Sequence, residues 1–515
     1  MDSSSLQRKL IYAEIFLTGV AVLIIEVLAV RMLAPFFGTT VYTTSSVISV
    51  VLAALSLGYY LGGHMADRYP SPQWFYRIIL ASGVSTLVLA LSAEPLLSLI
   101  SGQLGMIWGP LLSSLILFAV APALLGMLSP YAVVLERRHD ESLGTGSASG
   151  NVFFVSTVGS IVGGVVTGFV LIPWLSVPVI LVVTGMVLVM MGLRGAMIGW
   201  PSRIVWTGLS IFLATATATG AMEFQSEALL HEEDSAYSHI TVYKGLYDGE
   251  PVRIFSRNRS VSGAQDPKDP QRLVLDYSQY SRLSALRQEP PEQVLVLGTA
   301  ATFSIPRFYL ERYPEAEVDA VDIDPALKEV SKQYFQYPDS ERLNFIVDDG
   351  RRHLRQTDKR YDLIYIDAFS GVWAPPAHMT TREFFQQVQN RLSEDGMVIT
   401  NVIGSLAQRE QSLLFSMART FEAVFDHTAY YPESPWDRGV QNVQFAASMT
   451  PSINWQPPEA SARLASLTKT LMHFNGDFLS RYTLLEDHYA PSNYLASLNF
   501  SLEEGDADSA SEKGK

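Results

Sequence analysis

Apolar runs of membrane-spanning length fill the first 222 residues, and they constrain the fold more than any other feature of the chain. A transmembrane helix needs about 20 consecutive, mainly apolar residues. Seven runs qualify, at 11–33, 41–63, 75–100, 104–135, 151–171, 177–193 and 204–222. The sequence therefore predicts a polytopic α-helical membrane domain of about seven spans over residues 1–222. The first run is too long for a cleavable signal peptide and contains Glu14 and Glu26.

Basic residues flank these runs unevenly, and the pattern predicts an orientation. The connections around 36–40, 101–103 and 172–176 carry no lysine or arginine. The alternate connections carry Arg8, Lys9, Arg68, Arg77, Arg137, Arg138, Arg194 and Arg203. The positive-inside rule then predicts a multi-pass protein of the cell (inner) membrane with a cytoplasmic N-terminus. Seven spans would place the C-terminal region outside the cytoplasm, whereas one re-entrant run would leave it inside.

The net charge and the cysteine content of the chain limit the kinds of ligand and site that it can have. A net charge of −14 argues against nucleic acid. The sequence has no cysteine, which excludes disulfides, thiolate metal ligands and cysteine nucleophiles, and we predict no metal site. Glu26 lies deep in the first apolar run, where charged groups tend to be functional. Segment 58–68 resembles a loop of major-facilitator transporters, so a transporter or sensor is one alternative.

The rest of the chain alternates short apolar strands with helical patterns. We divide it into a β-strand region with a linker helix at 223–292, an α/β domain at 293–500 and a disordered acidic tail at 501–515. Strands followed by helices in regular alternation are typical of a parallel sheet. The predicted fold is therefore an α/β domain with a doubly wound, mainly parallel Rossmann-like sheet, preceded by a small β-region.

A glycine or an aspartate follows four of the predicted strands. These residues are Gly298, Asp322, Asp349 (with Gly350 after it) and Asp367. Because ligands of open α/β sheets bind outside the carboxyl ends of the strands, the pattern predicts a nucleoside pocket. A carboxylate suits a ribose, since it accepts hydrogen bonds from both hydroxyls. Alternatively, each aspartate caps the helix that follows it.

The motifs around these positions resemble the spermidine synthase (polyamine aminopropyltransferase) family, including its membrane-fused members. The resemblance covers about residues 232–495. It is carried by segments 232–240, 321–325, 348–351, 361–367 and 487–491. It implies a membrane-bound transferase that moves an aminopropyl group, or a related alkyl group, from a sulfonium nucleoside to an amine.

The resemblance also implies roles for individual residues. Asp322 would bind the ribose, and Asp349 with Gly350 would hold the adenine. Asp367 would be the catalytic acid that orients the attacking amine and accepts its proton, and Tyr280 would line the amine pocket. The implied co-substrate is decarboxylated S-adenosylmethionine or S-adenosylmethionine. The expected partners are a small-molecule amine or polyamine, the lipid bilayer and, in a homodimer, a second copy of the chain.

Three departures from the family leave the reaction open. Loop 298–302 has no carboxylate, although the family uses an aspartate there for the amino end of the co-substrate. Ser370 stands where the gate motif has a second acid, and Ser281 and Arg282 stand where the family has histidine and glutamate. An arginine in a diamine pocket would repel the substrate. The alternatives are a methyltransferase that uses S-adenosylmethionine, or a non-catalytic nucleoside- or polyamine-binding transporter or sensor.

Overall fold

The computed structural model divides the chain into two compact units, Met1–Ser226 and Glu227–Lys515. It describes residues 3–38, 40–101, 104, 107–139, 142–196, 228–368, 376–457 and 461–498. The seventh apolar run, the acidic tail and Ser370 lie outside these residues. We therefore describe each unit separately.

The first unit is helical. Its helices are α1 (Ser3–Phe37), α2 (Val41–Arg68), α3 (Pro72–Ser101), α4 (Trp108–Phe118), α5 (Val120–Gly126), α6 (Leu128–His139), α7 (Thr145–Val166), α8 (Ile172–Trp174) and α9 (Val177–Ala196). A π-helical turn at Thr167–Leu171 joins α7 to α8. Among the described residues, five helices are long and apolar enough to cross a membrane, or six if a bent pair counts as one span.

That bent pair corresponds to the fourth predicted run and corrects the expectation of one straight helix there. The chain turns by 54° between Trp108–Phe118 and Val120–His139. Pro122 lies in the first turn after the break. Proline lacks the N–H that would bond the carbonyl four residues earlier, which here belongs to Phe118, and its ring clashes with that carbonyl. The prediction of about seven spans therefore becomes five or six in the described part of the chain.

Glycines allow close contact between helix backbones in this unit. A Cβ atom on Gly159 or Gly163 of α7 would collide with the carbonyl of Phe16 or Val20 on α1. Gly58 and Gly62 of α2 meet the backbone of Ala123 and Met127 in the same way. Such small-residue contacts are typical of helix packing within membranes. The glycines of segment 58–68 therefore have a packing role in this fold.

The second unit begins with a four-stranded antiparallel sheet. Its strands are β1 (Leu229–Asp234), β2 (His239–Tyr247), β3 (Glu250–Arg257) and β4 (Ser260–Gln265), paired in chain order. A 3₁₀-helix at Asp276–Leu286 follows, where the sequence predicted a linker helix. Pro290 and Pro291 stand just beyond its end.

A mixed, mostly parallel sheet of seven strands forms the centre of this unit. The strands are β5 (Gln293–Leu297), β6 (Glu317–Asp322), β7 (Leu343–Val347), β8 (Tyr361–Ile366), β9 (Leu392–Ser405), β10 (His427–Pro432) and β11 (Val440–Ser448). Their order is β10-β11-β9-β8-β5-β6-β7. The pairs from β7 to β9 are parallel, and β11 pairs antiparallel with both β9 and β10.

Helices accompany the strands and cover both faces of the sheet. They are α10 (Ser304–Arg312), α11 (Ala326–Tyr334), α12 (Gly350–Gln356), α13 (Arg382–Arg391), α14 (Leu413–Glu422), α15 (Ala462–Thr468) and α16 (Gly476–Leu479). Alternate residues of β5 enter different apolar cores: Leu295 packs with the side chains of α13 and α14, and Val294 with those of α10. Strands buried on both faces need nearly continuous apolar sequence, which β5 has.

Candidate functional site

The order of the central strands changes direction between β5 and β8. The chain moves from β5 outward to β6 and β7, and then returns to the other side of β5 as β8. Open α/β sheets bind ligands in the crevice at such a switch point. Gly298 follows β5 and Asp367 follows β8, so both residues stand at this crevice. The topology thus brings two of the predicted site residues together.

Gly298 fits a position that a larger residue would not. Its φ is +87°, and a Cβ atom there would collide with the carbonyl oxygen of Asp367. The amide of Asp367 donates to the carbonyl of Leu297 at 2.7 Å, and the amide of Gly298 donates to Val321 at 2.8 Å. Glycine is therefore required both by the backbone conformation and by the close approach of the two strand ends.

Asp322 is buried at the carboxyl end of β6, with 5% of its surface exposed. Its carboxylate accepts hydrogen bonds from the amides of Thr299 at 3.1 Å and Asp324 at 3.2 Å. Arg257 of β3 lies 3.4 Å from the same carboxylate. A carboxylate offers about four acceptor positions, so Asp322 keeps capacity for a further donor. Its role toward a ribose remains a prediction.

Asp324, two residues later, connects the two sheets of the α/β unit. One of its carboxylate oxygens accepts from the hydroxyls of Ser235 at 2.5 Å and Ser238 at 3.2 Å, which flank the β1–β2 turn. The other oxygen accepts from the amide of Ala326 at the start of α11. Asp324 is 1% exposed. Its position gives it a structural role, whereas Asp322 lies at the crevice.

Asp349 caps helix α12, as the alternative reading of the strand-end acids allowed. Its carboxylate accepts from the amide of Arg352 at 2.9 Å. The other oxygen meets the His378 ring at 3.0 Å, and this hydrogen bond is the main cause that lowers the pKa of Asp349. Gly350 begins α12 next to Met379 and Leu297. Both carboxylate oxygens of Asp349 thus have protein partners. The adenine-binding role of Asp349 and Gly350 remains a prediction.

Asp367 has a different environment, made of side-chain rather than backbone donors. The carboxamide of Asn401 on β9 donates to it at 3.1 Å, and the nearby phenol of Tyr277, whose hydroxyl donates to the carbonyl of Ser262 at 3.3 Å, favours its ionised form. Burial among protein atoms outweighs these two effects and raises the pKa of Asp367 to about 6. The group is then ionised at neutral pH but is a stronger base than an exposed aspartate.

The structure places Tyr280 in the core rather than beside Asp367. Tyr280 is 3% exposed, and its hydroxyl donates to the carbonyl of Pro432 at 3.1 Å. Tyr277, three residues earlier, is the tyrosine next to Asp367, and burial together with the Asp367 carboxylate raises its pKa. No sequence signal distinguished the two tyrosines, because the family motif pointed to position 280.

Amide side chains extend the environment of Asp367 across three strands. Asn401 also contacts the carboxamide oxygen of Asn442 at 3.2 Å. The amide of Asn442 in turn donates to Glu433, just beyond β10, at 3.1 Å. Gln444 donates to Asn401 at 2.6 Å and fixes its orientation. The sequence analysis missed this chain, although Asn401 stands out as a polar residue within the apolar strand β9.

Arg282, which the sequence suggested would repel a cationic substrate, packs against Phe308 instead. Its guanidinium lies over the ring of Phe308, 5.3 Å from the ring centre, and donates to Gln279. It lines a cavity with Arg312 and Arg463, and the residues around this cavity include neither Asp322 nor Asp367. The expected repulsion of a cationic substrate at Asp367 by Arg282 therefore has no support in the described residues.

Several buried polar atoms near the crevice have no partner within the described part of the chain. They include the hydroxyl of Thr299 and the Nε atom of Arg257. Both residues contact Asp322 through other atoms. Buried polar groups are rarely left unpaired, so these atoms are available to a ligand. The described residues contain no cluster of three or more histidine, aspartate or glutamate side chains able to hold a metal.

The fold and the site define a class: an α/β domain with acidic groups and a glycine turn gathered at the switch point of a mostly parallel sheet. The family described as "Spermine/spermidine synthase domain" matches residues 281–433. Polyamine aminopropyltransferase of Vibrio vulnificus is 25% identical over 303 residues, which are 55% of this chain and 97% of that protein. The C-terminal half of the chain therefore contains a spermidine synthase domain, and relatives of this kind are aminopropyltransferases.

Two further relatives extend this comparison. Polyamine aminopropyltransferase 2 of Aquifex aeolicus is 23% identical over 418 residues, covering 77% of this chain and 79% of that protein. That match is longer than the α/β unit and so extends into the helical unit. The eEF1A lysine and N-terminal methyltransferase of Mus musculus is 29% identical over 146 residues, covering 27% of this chain and 21% of that protein.

Proposed function

We propose that the α/β unit transfers an aminopropyl group, or a related alkyl group, from a sulfonium nucleoside to an amine. The observation that carries this proposal is the environment of Asp367. Its carboxylate stands at the switch point beside Gly298, accepts a hydrogen bond from Asn401, and has a pKa raised to about 6. A carboxylate of this kind can orient an amine and accept its proton.

The proposed co-substrate is decarboxylated S-adenosylmethionine or S-adenosylmethionine, and the chemistry of the crevice suits it. Asp322 offers a carboxylate for the ribose hydroxyls. Thr299 offers a buried hydroxyl without a partner among the described residues, in the loop that would face the tail of the co-substrate. Asp349 and Gly350 are the proposed contacts to the adenine.

The reaction needs alignment more than it needs a protein nucleophile. The amine nitrogen attacks the carbon bonded to the sulfonium sulfur, and the N–C bond forms as the C–S bond breaks. The electron pair of the C–S bond moves to sulfur, so the nucleoside leaves as a neutral thioether. One proton leaves the nitrogen, and Asp367 accepts it. Holding both reactants in line supplies most of the acceleration in such a displacement.

The test is product analysis with purified full-length protein. A labelled sulfonium nucleoside and a panel of amines should yield methylthioadenosine and an alkylated amine. Asp367→Asn should lower the rate at which this product forms by about 10²- to 10⁴-fold while leaving the fold intact. Asp395→Asn, at an exposed carboxylate of β9 that pairs with Arg287 at 3.1 Å and lies away from the switch point, is the control. Absence of product from wild-type protein with every amine would refute the proposal.

A methyltransferase that uses the same crevice is the second candidate function. Arg257 favours it, because this arginine lies against Asp322 and keeps a buried Nε atom without a partner among the described residues. A guanidinium could pair with the carboxylate that S-adenosylmethionine retains. The partial match to a methyltransferase points in the same direction. S-adenosylhomocysteine, rather than methylthioadenosine, would be the product.

We further propose that the helical unit anchors this activity in the cell (inner) membrane as a multi-pass domain, with the N-terminus in the cytoplasm. If the bent pair and the seventh apolar run both cross, the α/β unit faces away from the cytoplasm; if only one of them crosses, it faces the cytoplasm. Reporter fusions at the C-terminus, one active only inside and one only outside, would decide this. Cross-linking in membranes would test the proposed homodimer.

A further inference from the structure

Segment 485–492 contains the last of the motifs that carry the family resemblance, and the resemblance gives this motif no role. In the fold, the segment runs beside the start of helix α13 and is bonded to it. The carbonyl of Leu485 accepts from the amide of Arg382 at 2.8 Å. The hydroxyls of Ser492 and Thr380 meet at 2.7 Å, and both residues are buried. The segment is therefore a fixed part of the α/β unit.

The carboxylate of Asp487 joins this segment to helix α12. Its two oxygens accept hydrogen bonds from the two terminal nitrogens of Arg351 at 2.7 and 2.6 Å. Arg351 is 5% exposed, and its hydrogen bonds are the main cause that lowers the pKa of Asp487. The hydroxyl of Thr381 donates to the same carboxylate at 2.8 Å. A bidentate pair of this kind fixes the orientation of the guanidinium as well as its distance.

The guanidinium of Arg351 also holds the part of the chain that faces Asp349. One of its terminal nitrogens donates to the carbonyl of His378 at 2.8 Å. The ring of His378 lies 3.0 Å from the Asp349 carboxylate. Met379 lies against Gly350, where a Cβ atom would come within 3.2 Å of the methionine methyl group. Since Asp349 and Gly350 are the proposed adenine contacts, this part of the chain borders the nucleoside end of the crevice.

We infer that Asp487 is a positioning residue for the nucleoside and that segment 485–492 completes the nucleoside end of the crevice. The inference rests on the proposed function and deepens it. Asp487 acts without touching the ligand. It orients Arg351, and Arg351 in turn fixes the distance between His378 and Asp349. A binding site is precise only when the residues that support its contacts are held in place as well.

A purely structural role for Asp487 is the competing explanation, because its loss leaves a buried guanidinium without its counter-charge. Glu486 provides a matched control in the same segment, since its carboxylate pairs with Arg382 at 2.5 Å. Within the described part of the chain, no hydrogen bond or ion pair joins Arg382 to His378. Glu486→Gln therefore removes one arginine contact of the segment and leaves Arg351 in place.

The experiment is calorimetry of methylthioadenosine binding to detergent-solubilised full-length protein. Asp487→Asn should weaken binding at least about tenfold, because a displaced contact lowers affinity even where the contacting residue remains. Glu486→Gln should change the affinity by less than about twofold. Arg351→Lys keeps a positive charge beside Asp487 but cannot hold the carboxylate in a fork and His378 at once, so it should weaken binding at least about threefold.

Transfer assays give a second readout that a purely structural role would not move. Asp487→Asn should raise the KM for the sulfonium nucleoside and leave the KM for the amine unchanged. A smaller folded fraction would instead lower kcat and leave both KM values as they are. Denaturant unfolding of each variant measures that fraction independently.

The possible outcomes separate this inference from the function on which it rests. Unchanged binding in Asp487→Asn, or an equal loss in Glu486→Gln, overturns the inference. If Asp487→Asn does not fold, unchanged binding in Arg351→Lys overturns it. Nucleoside binding with the expected pattern, but no product with any amine, refutes the proposed transfer and supports the inference. Absence of binding to wild-type protein contradicts both.

Discussion

The two ends of the crevice hold their acidic side chains in different ways. At the end formed by β6 and β7, Asp322 and Asp349 accept hydrogen bonds from backbone amides and have cationic or histidine neighbours. At the end formed by β8 and β10, the side chains that donate hydrogen bonds to Asp367 and Glu433 are neutral carboxamides, and burial raises the pKa of each carboxylate, although the charge of Arg257 partly opposes this at Asp367. Backbone donors fix a charge in place, whereas desolvation keeps a carboxylate reactive toward a proton or a cation.

This difference adds to the view from sequence alone, in which Asp367 stood without the second acid of the gate motif and three departures from the family left the reaction open. The described residues instead place polar groups from other strands around Asp367. Asn401, Asn442 and Glu433 supply polar groups that no strand-end motif identified. Each of the following experiments tests one side of this contrast.

The largest effect is expected at Asp367. Asp367→Asn should lower the transfer rate by about 10²- to 10⁴-fold, because the amide cannot accept a proton. In wild-type protein, kcat/KM should fall about tenfold per pH unit below pH 6 as this carboxyl becomes protonated, because kcat/KM reports the pKa of the free enzyme. A pH profile of full-length protein checks both statements. A rate unaffected by the substitution would show that this end of the crevice is not the reactive one.

Gly298, where the two ends meet, is expected to be the next most sensitive position. Gly298→Ala meets both a positive φ of 87° and the carbonyl of Asp367, so it should cost about 2–4 kcal/mol of unfolding free energy. Gly249 shares the conformation, with a φ of 81°, but has open space around it. Gly249→Ala should therefore cost only about 1 kcal/mol. Denaturant unfolding of both variants gives the comparison, and equal costs would mean that the close contact is not tight.

The ionised carboxylate of Asp367 should also lower the free energy of unfolding, although the same negative charge supports activity. Its pKa is raised to about 6 in the folded protein, so the folded state holds the proton more firmly than the unfolded chain does. The stabilisation is complete at low pH and is lost as the pH rises through 6. Asp367→Asn should thus be more stable than wild type by about 1–3 kcal/mol at pH 7.5 and equal to it near pH 4. Unfolding measured at both pH values checks this, and a destabilised variant at pH 7.5 would contradict it.

A smaller effect is expected at Asp349. Asp349→Ala removes the cap of α12 and should cost about 1 kcal/mol, whereas Asp349→Asn should cost only a few tenths because asparagine also caps helices. If Asp349 binds adenine as proposed, both variants should weaken nucleoside binding measured by calorimetry. Unchanged binding in both would assign Asp349 to capping alone.

The smallest effect is expected at Arg282. Arg282→Gln should change kcat/KM for the amine by less than about twofold, because its guanidinium packs on Phe308 in a cavity that Asp367 does not line. A large gain in rate would mean that Arg282 opposes the cationic substrate after all and that the two ends of the crevice are less separate than the structure indicates.

Much of the α/β unit could be predicted because its signals are local. The apolar strands β5, β6 and β8 and the residues that end them followed directly from sequence patterns. Glu433 could not be predicted in the same way, because its proximity to Asp367 depends on the order of β8, β9, β11 and β10 in the sheet. The position of Tyr277 depends on where the 3₁₀-helix Asp276–Leu286 packs, which no local pattern gives. The bend between α4 and α5 was also missed, since apolar composition does not register a single proline.

The contacts of the Asp324 carboxylate indicate where the α/β unit can be cut from the rest of the chain without damage to its fold. Because it fastens the β1–β2 turn to the start of α11, the small antiparallel sheet belongs to the same folding unit as the large one. A fragment that begins at Glu232 would divide β1, whose pairing with β2 starts at Leu229. A truncated gene for the α/β unit should therefore begin before the codon for Leu229. The whole of β1, together with Ser235 and Ser238, then remains in the domain.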